Sequence, residues 1–156
     1  MRHTKTFPVA ALTTVAALAL VSCGANDPLL AHLKTFESNI AGEPADATAI
    51  LRDIYGPEWA EFATVCPYSP QHAVDDALGT EDSPIPDNGL SEDENYLYLA
   101  SDDRNEKWIR FARSEMDLCN PTNSSSQSLT LEPISATLDF TLIQPDSIWT
   151  LTDFGN

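Results

Sequence analysis

Leu138-Asp139-Phe140-Thr141-Leu142, followed after six residues by Trp149-Thr150-Leu151, decides the fold. Apolar and polar residues alternate through both runs, the period-two signature of a half-buried strand. Pro145-Asp146 lies between them and supplies turn chemistry. Folding the runs back on each other sets Leu138, Phe140 and Leu142 against Trp149 and Leu151 on one face, so the sheet they begin has one buried side.

Working upstream, Tyr96-Leu97-Tyr98-Leu99-Ala100 also alternates, and residues 107–113 can answer it across a turn at 102–106. Pairing Leu99 with Ile109 and Leu97 with Phe111 gathers four apolar side chains, and it places Tyr96, Tyr98, Trp108 and Arg110 on the opposite face. Left uncovered, those four are a candidate binding surface for sugar rings or protein partners. Covered by a helix, they are core. Trp108, Ile109, Ala112 and Met116 also fit a helical period over residues 102–116, so that alternative stays open. Residues 59–66 read as a further strand with Phe62 and Cys66 on one side, and residues 129–131 begin another.

Three helices complete the pattern. Asp27 as N-cap, Pro28 at the first position and the stripe Leu29, Leu33, Phe36, Ile40 predict a helix ending before Gly42. Asp46 caps a second, running through Ala47, Ile50, Leu51 and Ile54 to the stop at Gly56-Pro57. Ser69 and Pro70 open a third, whose stripe is Ala73, Val74, Ala77 and Leu78 and whose end is Gly79. Three helices with about six short, mostly antiparallel strands predict an α+β domain with the helices packed on one face of the sheet.

The N-terminus is of another kind. Arg2, His3 and Lys5 precede residues 7–21, which carry no charge, as in the n-region and h-region of a secretory signal. The run is shorter than the roughly 20 residues that span a bilayer. It closes on Leu20-Val21-Ser22-Cys23, which resembles the lipobox of bacterial lipoproteins. That resemblance implies removal of residues 1–22, acylation of Cys23 by diacylglycerol and palmitate-type chains, and a membrane-anchored protein on the extracytoplasmic side. Two or more acyl chains make a lasting anchor. Residues 23–27 are then a short tether and residues 28–156 a single domain. The run from Gly56 to Gly79, with its Trp59, Cys66, Pro67-Tyr68 and Leu78-Gly79, is similar to small secreted bacterial lipoproteins of uncharacterised function, and implies only a compact α+β domain.

The chain holds 24 Asp plus Glu against eight Lys plus Arg, a formal charge of −16, and losing Arg2 and Lys5 with the signal makes the balance more acidic still. Such a surface repels phosphate backbones, which argues against nucleic acid and leaves membrane contact to the lipid. With Cys23 acylated, Cys66 and Cys119 are the remaining cysteines in an oxidising compartment, so they are expected to pair. Neither CxxC spacing nor neighbouring histidines supports a metal or redox role for them, and no metal or cofactor is expected.

His32 stands alone beside an apolar stripe and reads as a packing or surface residue. His72 precedes Asp75 and Asp76 by three and four positions, a spacing open to acid/base work but equally to ordinary helix-surface polarity. Between Thr80 and Asn95, carboxylates alternate with Pro84, Pro86 and Gly89, and an EF-hand frame centred on Gly89 would put prolines at ligand positions. The segment reads as a solvated acidic loop, with weak cation binding as the alternative. Arg104, Lys107, Arg110 and Arg113 concentrate cations, for which that acidic loop is the simplest partner. No GxSxG, HExxH or glycine-rich phosphate loop is present. The leading expectation is therefore a lipid-anchored, non-enzymatic binding or structural module of the cell envelope, with a protein or glycan partner. The alternative is a small envelope hydrolase drawing on Glu58, Glu61, Asp75 or Asp76, recognisable by two carboxylates about 5 to 10 Å apart in a cleft.

Overall fold

The computed structural model describes residues 22–23, 26–37, 43–119, 129–143 and 148–155. Expectations for the signal segment, the 120–128 loop, the Pro145-Asp146 turn, and Ile40 and Gly42 lie outside them. The architecture is α+β: three helices and two mostly antiparallel sheets.

The chain runs β1 (Ser22–Cys23), α1 (Pro28–Lys34), β2 (Asp46–Ile50), α2 (Leu51–Tyr55), β3 (Glu61–Val65), α3 (Gln71–Leu78), β4 (Glu94–Ala100), β5 (Glu106–Ala112), β6 (Met116–Asp117), β7 (Glu132–Pro133), β8 (Thr137–Ile143) and β9 (Ile148–Gly155). One sheet has the order β1-β5-β4-β3-β7 and the other β2-β8-β9-β6. The β8–β9 hairpin pairs as its alternation predicts, Leu142 with Trp149 and Phe140 with Leu151, before an irregularity at Asp139/Phe140 brings Leu138 opposite Phe154. In the β4–β5 hairpin Leu97 faces Ile109 and Leu99 faces Lys107, a shift of two residues from the expected register. A two-residue shift preserves the faces. Leu97, Leu99, Ile109 and Phe111 thus still share the inner face, with Lys107 at its end, and Tyr96, Tyr98, Trp108 and Arg110 still share the other side.

The expected second helix is half strand. Asp46–Ile50 pairs along its whole length with β8, burying Ala47 and Ala49 and exposing Asp46 and Thr48. Helical winding is confined to Leu51–Tyr55. Tertiary pairing outweighs local propensity here, because a two-residue period and a 3.6-residue period both fit so short an apolar pattern. Helix α1 is likewise shorter than its stripe, ending at Lys34 and leaving Phe36 44% exposed. At the other loop, residues 129–131 are not strand, and pairing begins only at Glu132.

The two sheets lie face to face. Phe62, Leu97, Leu99, Ile109 and Phe111 from the first share one core with Ala49, Leu138, Phe140, Trp149 and Leu151 from the second, and α1 and α2 add Leu29, Leu33 and Leu51. The first sheet's outer face carries a second cluster of Ala63, Val65, Tyr96, Tyr98 and Trp108, roofed by Val74 and Leu78 of α3 and by Ile85 and Leu90 of the following segment. The helices therefore divide between the two faces of that sheet instead of sharing one, since a sheet buried on both sides needs cover on both. Cys66 and Cys119 form the expected disulfide, across a sequence separation of 53. It joins the end of β3 in one sheet to the chain just past β6 in the other.

Candidate functional site

The first sheet's outer face is not an open binding surface. Tyr96, Tyr98 and Trp108 are 6%, 2% and 8% exposed, and Trp108 packs edge-on to Tyr96 and tilted against Tyr98 with centroids 4.6 Å apart. Alternation alone could not show that α3 and the Ile85–Leu90 segment would cover them. Arg110, the exposed member of the four, is held by Glu94 at 3.0 Å.

The cations disperse rather than forming one patch. Arg113 grips Asp117 through two bonds, the shorter 2.7 Å, and donates to the Glu92 carbonyl. Lys107, on the opposite face of β5 from Arg110, lies 5.1 Å from the Tyr55 ring centre. The acidic segment thus receives Arg110 and Arg113, as the sequence implied, yet it is more than a solvated loop. Thr80, Ser83, Ile85 and Leu90 within it are buried. Among the described residues no three His, Cys, Asp or Glu side chains gather closely enough to hold a metal ion. His32 packs edge-on against Phe36. His72 is exposed, and no hydrogen bond among the described residues joins it to Asp75 or Asp76.

A cleft opens where the roof stops. Helix α3 ends at Gly79, whose φ of 68° in the left-handed region turns the chain away. Among the described residues no helix lies above the final row of the sheet, Glu61 on β3, Ala100 on β4 and Glu106 on β5. Direct cross-strand partners share a face, so the two carboxylates flank the small Ala100 side chain, with about 10 Å between their backbones from two strand spacings. The cleft has a volume of about 420 Å³, and its apolar walls are Leu78 and Leu131. The β4–β5 turn supplies Ser101, Arg104 and Asn105.

Each polar group has a definite setting. Glu106 accepts from the Thr80 hydroxyl at 2.9 Å, and burial, then the Glu106 and Glu61 charges, hold the Tyr98 hydroxyl well above the usual phenol range. Glu106 is therefore fixed in place. In the turn, the Arg104 N–H donates to the Ser101 carbonyl at 3.1 Å and the Asn105 N–H to the Ser101 hydroxyl at 3.0 Å. Arg104 itself takes a φ of 62°, a conformation that glycine or asparagine adopts with less strain. No hydrogen bond or ion pair among the described residues engages the Glu61 carboxylate or the Arg104 guanidinium. Two uncommitted charges of opposite sign line one cleft without pairing. Glu61 stood among the carboxylate candidates, Tyr98 in the expected aromatic surface and Arg104 among the concentrated cations; Glu106 joins them only through register and helix length. Glu58 and Asp76 are exposed and do not line the cleft, and Asp75 is half-buried on α3 with one carboxylate oxygen unpartnered.

Near the N-terminus, β1 runs parallel to β5, with Cys23 opposite Arg110. No helix among the described residues is long and apolar enough to cross a membrane. Comparison with protein-family models, with curated proteins and with solved structures finds no match.

Proposed function

We propose that the protein is a lipid-anchored binding module on the extracytoplasmic side of a bacterial membrane, taking its ligand in the cleft between Glu61 and Glu106. The observation that carries the binding role is the cleft itself, where a fixed carboxylate converges with a carboxylate and a guanidinium that no described residue engages. The anchor rests on Leu20-Val21-Ser22-Cys23 after an uncharged run. Cys23 pairs with β5 four residues from Glu106, about 13 Å at ~3.3 Å per residue. An acyl group there would hold the cleft close to the bilayer surface.

The test uses the intact chain in its own envelope. A photo-crosslinker at Asp102, on the exposed turn beside the cleft, should capture one recurrent species that the same group at Thr48, on the far face of the second sheet, does not. Equal capture from both positions removes the binding role. Cys23→Ala should move the protein from the membrane to the soluble fraction without lowering its melting temperature, and a variant still on the membrane removes the anchor.

A hydrolase is the second reading, favoured by the placement of Glu61 and Glu106. Carboxyl separations of roughly 6.5 to 9.5 Å suit inverting glycoside hydrolysis, and side chains rising from two such strands can span that interval.

A further inference from the structure

We infer that the ligand of this cleft is a neutral saccharide unit, recognised by its hydroxyl groups. The inference rests on the binding role proposed above and narrows it to a ligand class. Charge argues first. Two carboxylates face one guanidinium on a protein of net charge −16, so an anionic ligand meets repulsion both locally and from the whole surface. A simple cation would meet Arg104 in the same wall. A zwitterion would have to seat its own carboxylate beside Glu61 and Glu106. A hydroxyl group meets none of these penalties, because it donates to a carboxylate and accepts from a guanidinium or an amide.

The donor and acceptor inventory points the same way. Glu106 already receives one protein hydroxyl, from Thr80, and an ionised carboxylate has room for about four such bonds. Glu61 brings a carboxylate and Arg104 a planar fork that no described residue engages, and Asn105 a side-chain amide. Adjacent hydroxyls on a sugar ring can bridge groups of both kinds. The volume of about 420 Å³ lies at the smaller end of ligand sites. Tyr98 is buried and shows the cleft no open ring face, so binding proceeds by hydrogen bonding without stacking. Weak affinity follows, in the millimolar to high-micromolar range, since each bond made replaces one to water.

The turn provides a variant that separates binding from folding. Arg104 occupies a left-handed position, so Arg104→Gly relieves strain while removing the guanidinium. The experiment takes the full lipidated chain in a sugar-free zwitterionic detergent and adds maltotriose, cellotriose, mannotriose or chitotriose up to about 10 mM, with saturation-transfer NMR as readout. At least one trisaccharide should receive saturation. Arg104→Gly and Glu61→Ala should each weaken that binding by about tenfold, and Arg104→Gly should melt no lower than the parent. No transfer to any of the four overturns the proposal, as does binding that both variants leave intact. Shortening of a bound trisaccharide would uphold the ligand class and transfer the function to the hydrolase reading. A negative sugar result beside specific capture at Asp102 would overturn the saccharide while leaving the binding module standing.

Discussion

Two buried polar residues carry more than their size suggests. Asn95 is fully buried where the chain leaves the first sheet for the second. Its Nδ2 donates to the Met116 and Phe111 carbonyls at 3.0 and 3.4 Å, and its Oδ1 accepts from the Leu118 N–H at 3.2 Å. Asn95→Asp keeps the shape but loses both donations and buries an unpaired charge. It should cost at least about 3 kcal/mol at pH 7, and part of that loss should return on acidification as the new carboxyl protonates; urea unfolding at pH 7 and pH 5 checks both. Asp27 is the second. It caps α1 through the Leu29 N–H at 2.8 Å and accepts the Tyr55 hydroxyl, and burial raises its carboxyl above the ordinary value. A native pKa above the unfolded one means that the folded state holds the proton more tightly, so this contribution is greatest below about pH 3.8 and is lost as pH rises through the native value. Asp27→Asn keeps an acceptor for both partners without the buried charge. It should flatten that stretch of the stability profile and equal or exceed the parent at pH 7, whereas Asp27→Ala should lose about 1 to 2 kcal/mol.

At the scale of elements, the disulfide links the two sheets across 53 residues. The chain-entropy relation gives about 4 kcal/mol for such a loop, an upper estimate. Cys66→Ser with Cys119→Ser should therefore lower stability by about 2 to 4 kcal/mol in denaturant melts, with little loss of strand signal in circular dichroism, because both sheets retain their shared apolar core. Residues 102–116 fitted a helix as well as a strand until pairing with β4 made 106–112 strand β5, but elements with a single period were legible beforehand: β8 and β9, α3 and β4. Residues 46–54 were not, because Ala47, Ala49, Ile50, Leu51 and Ile54 satisfy either period and only the pairing with β8 decides. Nor was the division into two sheets legible, since it depends on which strands meet. The candidate site was half visible. Glu61 could be named as a carboxylate, but Glu106 becomes its neighbour only when the registers of β3–β4 and β4–β5 set both opposite Ala100. The cleft exists because α3 stops one row short, a matter of helix length against strand length that no local pattern records.

For the molecule as a whole, charge is the dominant unbalanced term. Twenty-four carboxylates face eight Lys and Arg, and among the described residues two pairs, Arg110–Glu94 and Arg113–Asp117, meet as salt bridges. The remaining carboxylates repel one another more in the compact state than in the expanded one. Salt should relieve this, because the screening length falls from about 30 Å at 0.01 M to about 3 Å at 1 M. Raising NaCl from about 0.01 to 0.5 M should lift the melting temperature by about 3 to 8 °C, the equivalent of roughly 1 to 2 kcal/mol for a domain of this size. KCl at equal ionic strength should do the same, since screening depends on charge and not on identity. CaCl2 at equal ionic strength distinguishes a diffuse field from a site. The acidic segment that follows α3 spends Ile85 and Leu90 on the core, and the pairing of Glu94 with Arg110 leaves it one carboxylate fewer for a cation. Calcium should accordingly exceed the monovalent salts only by the modest margin of its double charge. A rise with calcium that saturates at low concentration would instead identify a bound ion there, whereas a flat or falling melting temperature in all three salts would show that repulsion is not what limits this fold.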